Sequence, residues 1–371
     1  MIHQLTQSDF KICKSRRNSY MFTNQNTIRE IMSCEGIKRS IGIFFPEITD
    51  RFVSEKYLDQ PLVIVEKEVK MPWGAPFQAG DLIESANRIS NMLQGTDDYE
   101  FVPLWCETFS GCYMPEAAKN NEETVCLMTT KANRGGKKPT VILCPGGGYE
   151  FVSMIHEGIR IAEYMEKAGY KAFILNYRVV PNRYPLPQTD LALAVKYVKV
   201  NAELYGADPD DVLLVGSSAG GHLCASAALY AEEIETALMG ILEERYPKLA
   251  ESYKGISVKP DKICLNYPVI SFLEEDHEPS FQALTGGNET LRNKLSVEQH
   301  IDSTYPKTFV WACEDDALVP ASNAKRMGEA LKRAGVPCEL NIYPAGGHGC
   351  GLGEETSAKG WADAMTAFMR K

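Results

Sequence analysis

Strand-like and helix-like segments alternate along this chain from residue 101 to its end, and this alternation limits the possible folds more than any other feature. Short apolar runs typical of buried strands, such as residues 140–144 and 171–177, alternate with stretches whose apolar residues recur at helical spacing. Segments in this order form a mostly parallel sheet with helices on both faces. We therefore predict an α/β fold for residues 101–371.

Residues 1–100 lack this alternation. They contain a helix-like stretch at 25–34, a β-branched run at 61–69 and a second helical segment at 81–93. We predict an N-terminal extension over residues 1–100 and one catalytic domain over 101–371. The sequence leaves open whether the extension is a lid, a dimer contact or an extra layer.

Charge, apolar runs and cysteine spacing indicate which binding partners and which cellular compartment to expect. The chain has 39 Lys and Arg against 49 Asp and Glu, a net charge of −10, and no dense basic block, so we expect no nucleic-acid partner. No run of eighteen apolar residues indicates a membrane span, and the N-terminus has no apolar signal segment. The cysteines number 11 and include no C-x-x-C pair, which favours reduced thiols without a metal site. These features predict a cytoplasmic protein.

The run Gly216-Ser217-Ser218-Ala219-Gly220 follows an apolar strand at 211–215 and precedes a helix that starts near residue 221. A nucleophilic serine on a tight strand-to-helix turn needs this context, because its neighbours must be small. An ordinary Gly/Ser-rich turn is the competing interpretation. The position between strand and helix favours Ser218 as a nucleophile.

A serine hydroxyl needs a base, and on this type of turn an acid and then a histidine follow in the chain. His348 lies in Ala345-Gly-Gly-His-Gly349, after the last strand and before the last helix, and is the candidate base. His222 is too close to the serine and is predicted to pack or cap. His277 and His300 fall in an irregular segment at 271–304, where they line a pocket or are solvated.

The acid should follow the preceding strand, where Cys313-Glu-Asp-Asp-Ala-Leu-Val-Pro320 offers three carboxylates. Asp316 is the candidate, because its distance from the Val-Pro pair fits a turn that aims it at the histidine. Glu314 and Asp315 are the alternatives. The acid would fix the imidazole tautomer and stabilise the imidazolium.

A glycine-rich loop, Pro145-Gly146-Gly147-Gly148-Tyr149, follows the strand at 140–144. The amides of Gly147 and Gly148 are candidates to join that of Ala219 as donors to an oxyanion. A flexible turn and a phosphate-binding loop are the competing interpretations. The chain has no G-x-x-x-x-G-K-[ST] or G-x-G-x-x-G match here, which disfavours phosphate.

Residues from about 101 to 371 resemble the esterase/lipase branch of the α/β-hydrolases that includes bacterial acetyl-xylan esterases and xylanase-associated sugar esterases. The segments that carry the resemblance are 145–153, 157–158, 176–179, 216–223, 266–271 and 343–349. It implies the α/β-hydrolase fold, a triad of Ser218, Asp316 and His348, and oxyanion donors at Gly147, Gly148 and Ala219. It also implies short acyl groups, often acetyl on carbohydrate, and no cofactor.

The candidates to line the acyl pocket are Tyr149, Phe151 and Glu157, which follow the glycines of the loop. Phe151 is equally compatible with the core. Asp190 is expected to cap its helix or to pair with Arg178.

The function expected from these features is serine carboxylesterase activity on a small-molecule or oligosaccharide ester. Two alternatives stay open, namely an amidase or peptidase of the formamidase or oligopeptidase type, and a ligand-binding relative without catalysis. The sequence also leaves open whether the chain forms a homo-oligomer.

Overall fold

The computed structural model describes residues 21–34, 36–38, 53–70, 77–94, 96–108, 121–131, 135–274 and 277–371. Within these residues one sheet has eight strands in the order β1-β2-β4-β3-β5-β6-β7-β8. The strands are β1 Tyr99–Pro103, β2 Cys126–Thr130, β3 Lys138–Cys144, β4 Lys171–Asn176, β5 Ala207–Ser217, β6 Lys262–Asn266, β7 Lys307–Cys313 and β8 Cys338–Tyr343.

Strand β2 pairs antiparallel with β1 and with β4, and the strands from β4 to β8 are parallel. All six residues of β4 are buried, as is typical of a parallel strand covered on both faces. The predicted α/β architecture with a mostly parallel sheet is therefore confirmed.

The helices among the described residues are α1 Ile28–Met32, α2 Leu62–Glu68, α3 Ala79–Gln94, α4 Arg160–Lys167, α5 Leu186–Val200, α6 Ala202–Tyr205, α7 Ala219–Leu229, α8 Ala231–Arg245, α9 Pro247–Tyr253, α10 Glu278–Thr285, α11 Thr290–Lys294, α12 Ser322–Arg333 and α13 Trp361–Met369. Helix α4 packs on β3 and β4, α5 and α7 pack on β5, and α12 packs on β7 and β8, whereas α8 packs on α5 and α9. A π-helical turn at Met154–Ile159 leads into α4, and short 3₁₀ turns occupy Glu55–Tyr57, Glu122–Thr124 and Val297–Gln299. No helix among the described residues is both long and apolar enough to cross a membrane.

Helix α5 differs from the sequence prediction, which began it at Asp190. It starts at Leu186, with Pro187 in its first turn, where a missing amide hydrogen costs nothing. Asp190 therefore lies inside the helix, and it does not cap it. Its buried carboxylate pairs with Arg178 at 2.7 Å, which is the second role that the sequence offered.

Two further boundaries were wrong. The helix predicted to start near residue 221 is α7, which starts at Ala219 and is followed after Tyr230 by a second helix, α8. The segment 271–304, predicted as irregular, contains α10 and α11. Helices α10 and α11 are short, and hydrophobic periodicity detects short helices poorly.

The described residues between 21 and 94 share one buried apolar core with the sheet. The β-branched run at 61–69 forms α2, because Leu62 and Val65 are buried on one helical face in the same core as the sheet, and this packing overrides β propensity. Asp81 of α3 pairs with Arg160 of α4 at 2.8 Å. Arg88 of α3 pairs with Glu163 at 3.2 Å.

Candidate active site

Ser218 occupies the turn between β5 and α7 and has φ 53° and ψ −121°. A non-glycine residue in such a conformation costs about 1–3 kcal/mol, which the surroundings must offset. The amide of Ser218 donates to the Asn266 carbonyl at 2.9 Å, and its carbonyl accepts from the Val269 amide at 3.1 Å. A Cβ at Gly220 would lie 1.9 Å from the Cys144 carbonyl oxygen, so only glycine fits there. Neighbouring strands thus hold the serine in its strained turn.

The imidazole of His348 connects the serine to a carboxylate. Its Nε2 lies 2.8 Å from Oγ of Ser218, and its Nδ1 lies 2.7 Å from Oδ2 of Asp316. Because a carboxylate only accepts, Nδ1 carries the proton and Nε2 accepts from the serine hydroxyl. The rings of Tyr267 and His348 pack edge to face, with their centroids 5.1 Å apart. The arrangement has the geometry needed to remove a proton from Ser218.

The three neighbouring carboxylates have different partners. Oδ1 of Asp316 accepts from two backbone amides, those of Leu318 and Val319, each at 2.9 Å. Asp315 accepts from the amides of Gly346 and Gly347 at 2.9 and 2.8 Å, and so fixes the loop that carries the histidine. Glu314 is paired with Lys325.

The glycine-rich loop lies beside Ser218. A Cβ at Gly146 would stand 2.7 Å from Cβ of Ser218. The loop is shaped by the Gly147 carbonyl, which accepts from the Glu150 amide at 2.9 Å and the Phe151 amide at 3.1 Å. Among the described residues, the amides of Gly147, Gly148 and Ala219 donate to no other group. All three are therefore free to donate to an oxyanion.

Glu157, predicted to line the acyl pocket, has a buried carboxylate that contacts the glycine-rich loop. Its Oε2 accepts from the Gly146 amide at 2.6 Å, and its Oε1 accepts from the Tyr267 hydroxyl at 2.9 Å. Burial and the nearby Glu157 carboxylate raise the pKa of Tyr267 well above its ordinary value, so that the phenol keeps its proton. Tyr267 was not among the predicted site residues, although it lies in the segment 266–271 that carries part of the resemblance.

Tyr149 is buried in the interior, and its hydroxyl lies 2.8 Å from Nδ1 of His222. Nε2 of His222 lies 2.8 Å from the Leu295 carbonyl oxygen. Because a carbonyl only accepts, Nε2 carries the proton and Nδ1 accepts from Tyr149. Burial lowers the pKa of His222 to about 4, so this histidine is neutral at pH 7. His222 is a packing residue, which is one of the two roles predicted for it. Phe151, a pocket candidate, is half-buried beside Gly147.

The remaining candidate histidines have different surroundings. His300 is exposed, with Nε2 3.1 Å from the Asn293 carbonyl oxygen. His277 lies beside the glycine-rich loop and is half-buried. Within the described part of the chain, no group of three or more His, Cys, Asp or Glu side chains is placed to hold a metal ion.

A family model, BD-FAE, matches residues 128–331, from within β2 to within α12. The chain belongs to the BD-FAE family. Ser218 and Asp316 lie inside the matched residues of this BD-FAE member, and His348 follows them.

Two curated bacterial proteins resemble this BD-FAE chain. Endo-1,4-beta-xylanase B of Butyrivibrio fibrisolvens is 30% identical over 232 residues, which cover 61% of this chain and 34% of that protein. Acetylxylan esterase of Xylanibacter ruminicola is 29% identical over 241 residues, which cover 62% of this chain and 44% of that protein. The chain therefore spans less than half the length of these two relatives.

A solved structure matches more completely. The acetyl ester-xyloside bifunctional hydrolase from Caldicellulosiruptor lactoaceticus is 32% identical, with a TM-score of 0.60, over 73% of this chain and 95% of that one. With the mostly parallel sheet, this match confirms the predicted α/β-hydrolase fold of the BD-FAE chain.

Proposed function

We propose that the chain is a serine carboxylic ester hydrolase that removes short acyl groups, acetyl in particular, from carbohydrate esters. One observation carries the proposal, which is that His348 hydrogen-bonds both Ser218 and Asp316. The names of the similar proteins support the substrate class, since they include an acetylxylan esterase, a xylanase and an acetyl ester-xyloside hydrolase.

In the proposed first half-reaction, Nε2 of His348 takes the proton from Oγ of Ser218 as that oxygen attacks the acyl carbonyl carbon. Asp316 stabilises the resulting imidazolium without accepting its proton. The carbonyl oxygen becomes an oxyanion and accepts hydrogen bonds from the amides of Ala219 and of Gly147 or Gly148. His348 then protonates the leaving alcohol, and the acyl group remains on Ser218.

In the second half-reaction, water attacks the acyl-enzyme. His348 takes one proton from that water, the same amides hold the second oxyanion, and collapse releases the carboxylic acid with the proton returned to Oγ of Ser218. Side chains, backbone amides and water supply every group in this cycle. Glu157 supports both halves, because it holds the loop of oxyanion donors through the Gly146 amide.

Of the three roles considered for residues 1–100, the contacts of the described residues support an extra layer packed on the α/β fold. Asp81 and Arg88 of α3 pair with Arg160 and Glu163 on the surface of α4.

The cysteines in the described residues are free thiols, which supports action in a reducing compartment such as the cytoplasm.

The test is acetate release from acetylated xylo-, manno- and gluco-oligosaccharides, with peptide and formamide substrates measured beside them. We expect release from at least one sugar ester and its loss in Ser218→Ala. Ser217→Ala is the matched control, because Ser217 is adjacent but hydrogen-bonds Asn266 in the interior. Turnover of the peptide or formamide alone would move the assignment to an amidase. Unchanged acetate release by Ser218→Ala would refute the proposed nucleophile.

A further inference from the structure

His277 lies beside the glycine-rich loop, just before α10. A Cβ at Gly148 would stand 3.8 Å from Cε1 of His277 and 3.9 Å from Oγ of Ser280. Nε2 is bonded to Cε1, so a polar ring atom lies close to one of the proposed oxyanion donors. None of the catalytic steps above uses this histidine.

Ser280 fixes which ring nitrogen of His277 carries the proton. Nδ1 of His277 lies 2.7 Å from Oγ of Ser280, whose side chain is fully buried. A buried hydroxyl hydrogen needs an acceptor, and among the described residues Nδ1 is the one that Ser280 contacts through its hydroxyl. The serine therefore donates to Nδ1, and Nε2 carries the proton.

Burial above all keeps His277 neutral. Burial and the neighbouring His348 lower the pKa of His277, against the opposing carboxylates of Asp316 and Glu150. A neutral N–H donor suits a hydroxyl or ether oxygen better than it suits an anion. The charge of His348, the proposed base, thus acts on His277, which also lies beside the proposed oxyanion donor Gly148.

We propose that Nε2–H of His277 contacts the alcohol part of the substrate, where it donates to a hydroxyl or ring oxygen and so selects polyhydroxylated esters over simple ones. This inference rests on the proposed function, because it assigns the alcohol side of the same site. The acyl side is left to other residues. His277 is thus a specificity-determining residue, held in one tautomer by Ser280.

The test compares kcat/KM for a mono-acetylated xylobiose with kcat/KM for p-nitrophenyl acetate, whose alcohol part has no free hydroxyl. We expect His277→Phe to lower the ratio of the two values about tenfold, as the loss of one substrate hydrogen bond does, mainly through KM for the sugar ester. His277→Gln places an amide N–H near the position of Nε2 and should keep more of the ratio. His300→Gln, an exposed histidine of the same segment, is the matched control and should keep the wild-type ratio. A ratio within twofold of wild type in His277→Phe would overturn the inference.

A second measurement separates this inference from the proposed function. Binding of xylotriose to Ser218→Ala and to Ser218→Ala/His277→Phe, followed by saturation-transfer NMR, needs no turnover. We expect weaker binding by the double variant. Equal binding of xylotriose by the two variants would overturn the role of His277, even if the wild type is an esterase. Weaker binding by the double variant, together with no esterase activity in the wild type, would refute the proposed function and leave the sugar contact of His277 standing.

Discussion

Oδ2 of Asp316 lies 2.7 Å from Nδ1 of His348, although 32 residues separate the two in the chain. The other oxygen of Asp316 accepts from two backbone amides, so the carboxylate has one fixed orientation. Asp315, the next residue back, accepts from the backbone of the histidine loop instead. Adjacent carboxylates thus have separate tasks, one on the imidazole and one on the loop that carries it.

Asp316→Asn should lower kcat by roughly 10³–10⁴-fold. The two amides at Leu318 and Val319 need an acceptor, so the amide oxygen of Asn would face them and its NH₂ group would face His348. Nδ1 would then have to accept, which places the proton on Nε2, where it blocks transfer from Ser218. Steady-state kinetics on p-nitrophenyl acetate measure the effect.

Asp315→Asn is the matched control, because an Asn oxygen can still accept from Gly346 and Gly347. We expect a loss of kcat of about tenfold or less. A larger loss in Asp315→Asn than in Asp316→Asn would transfer the role of the acid to Asp315.

Gly147→Ala should lower kcat by about 100-fold or more, the usual cost of losing an oxyanion donor. The residue has φ 129°, and a Cβ there would lie 2.2 Å from the Phe151 carbonyl oxygen, so the loop must move. Gly240→Ala on α8 serves as control, since no atom lies within 4 Å of its added Cβ. Its kcat should stay at the wild-type value, and equal losses in both variants would contradict the account.

Glu157→Ala should lower kcat by about 100-fold with little change in KM, because the Gly146 amide and the Tyr267 hydroxyl lose their acceptor and the donor loop loosens. Glu157→Gln keeps an oxygen for Gly146 and should lose less than tenfold. Tyr267→Phe removes only the hydroxyl and tests that contact alone. Wild-type kcat in Glu157→Ala would show that the loop needs no such support.

Acid should destabilise the protein through His222. Its pKa is about 4 in the folded state, against about 6.5 when unfolded, so between these values the unfolded chain binds the additional proton. The contribution is complete above pH 6.5 and falls by about 3 kcal/mol as the pH drops to 4. Urea unfolding from pH 7 to pH 4.5 should show a shallower loss of unfolding free energy in His222→Gln. Identical pH dependence in both proteins would contradict this.

The sequence predicted the sheet and the approach of Ser218, Asp316 and His348, because each of these residues follows a strand and parallel strands end at one edge of the sheet. The N-terminal helix α2 was not predicted as a helix, because its helical form depends on burial of Leu62 and Val65 in a core formed with distant residues.

The hydrogen bonds by which Glu157 holds the glycine-rich loop could not be predicted from the sequence, because they too join residues that are distant in the chain. Its partners, Gly146 and Tyr267, lie on loops that follow β3 and β6, and no spacing along the chain indicates a hydrogen bond between such loops. The neutral state of His277 likewise depends on burial, which only the folded chain provides, and its tautomer depends on the contact with Ser280.

Labelling with a fluorophosphonate, followed by peptide mass spectrometry, tests the central claim most directly. Such a probe reacts with a serine only where a base removes the proton and donors hold the oxyanion. We expect one adduct on Ser218, no adduct in Ser218→Ala, and slow labelling in Asp316→Asn. An adduct on Ser217 or on any other residue, or esterase activity that persists in unlabelled Ser218→Ala, would contradict it.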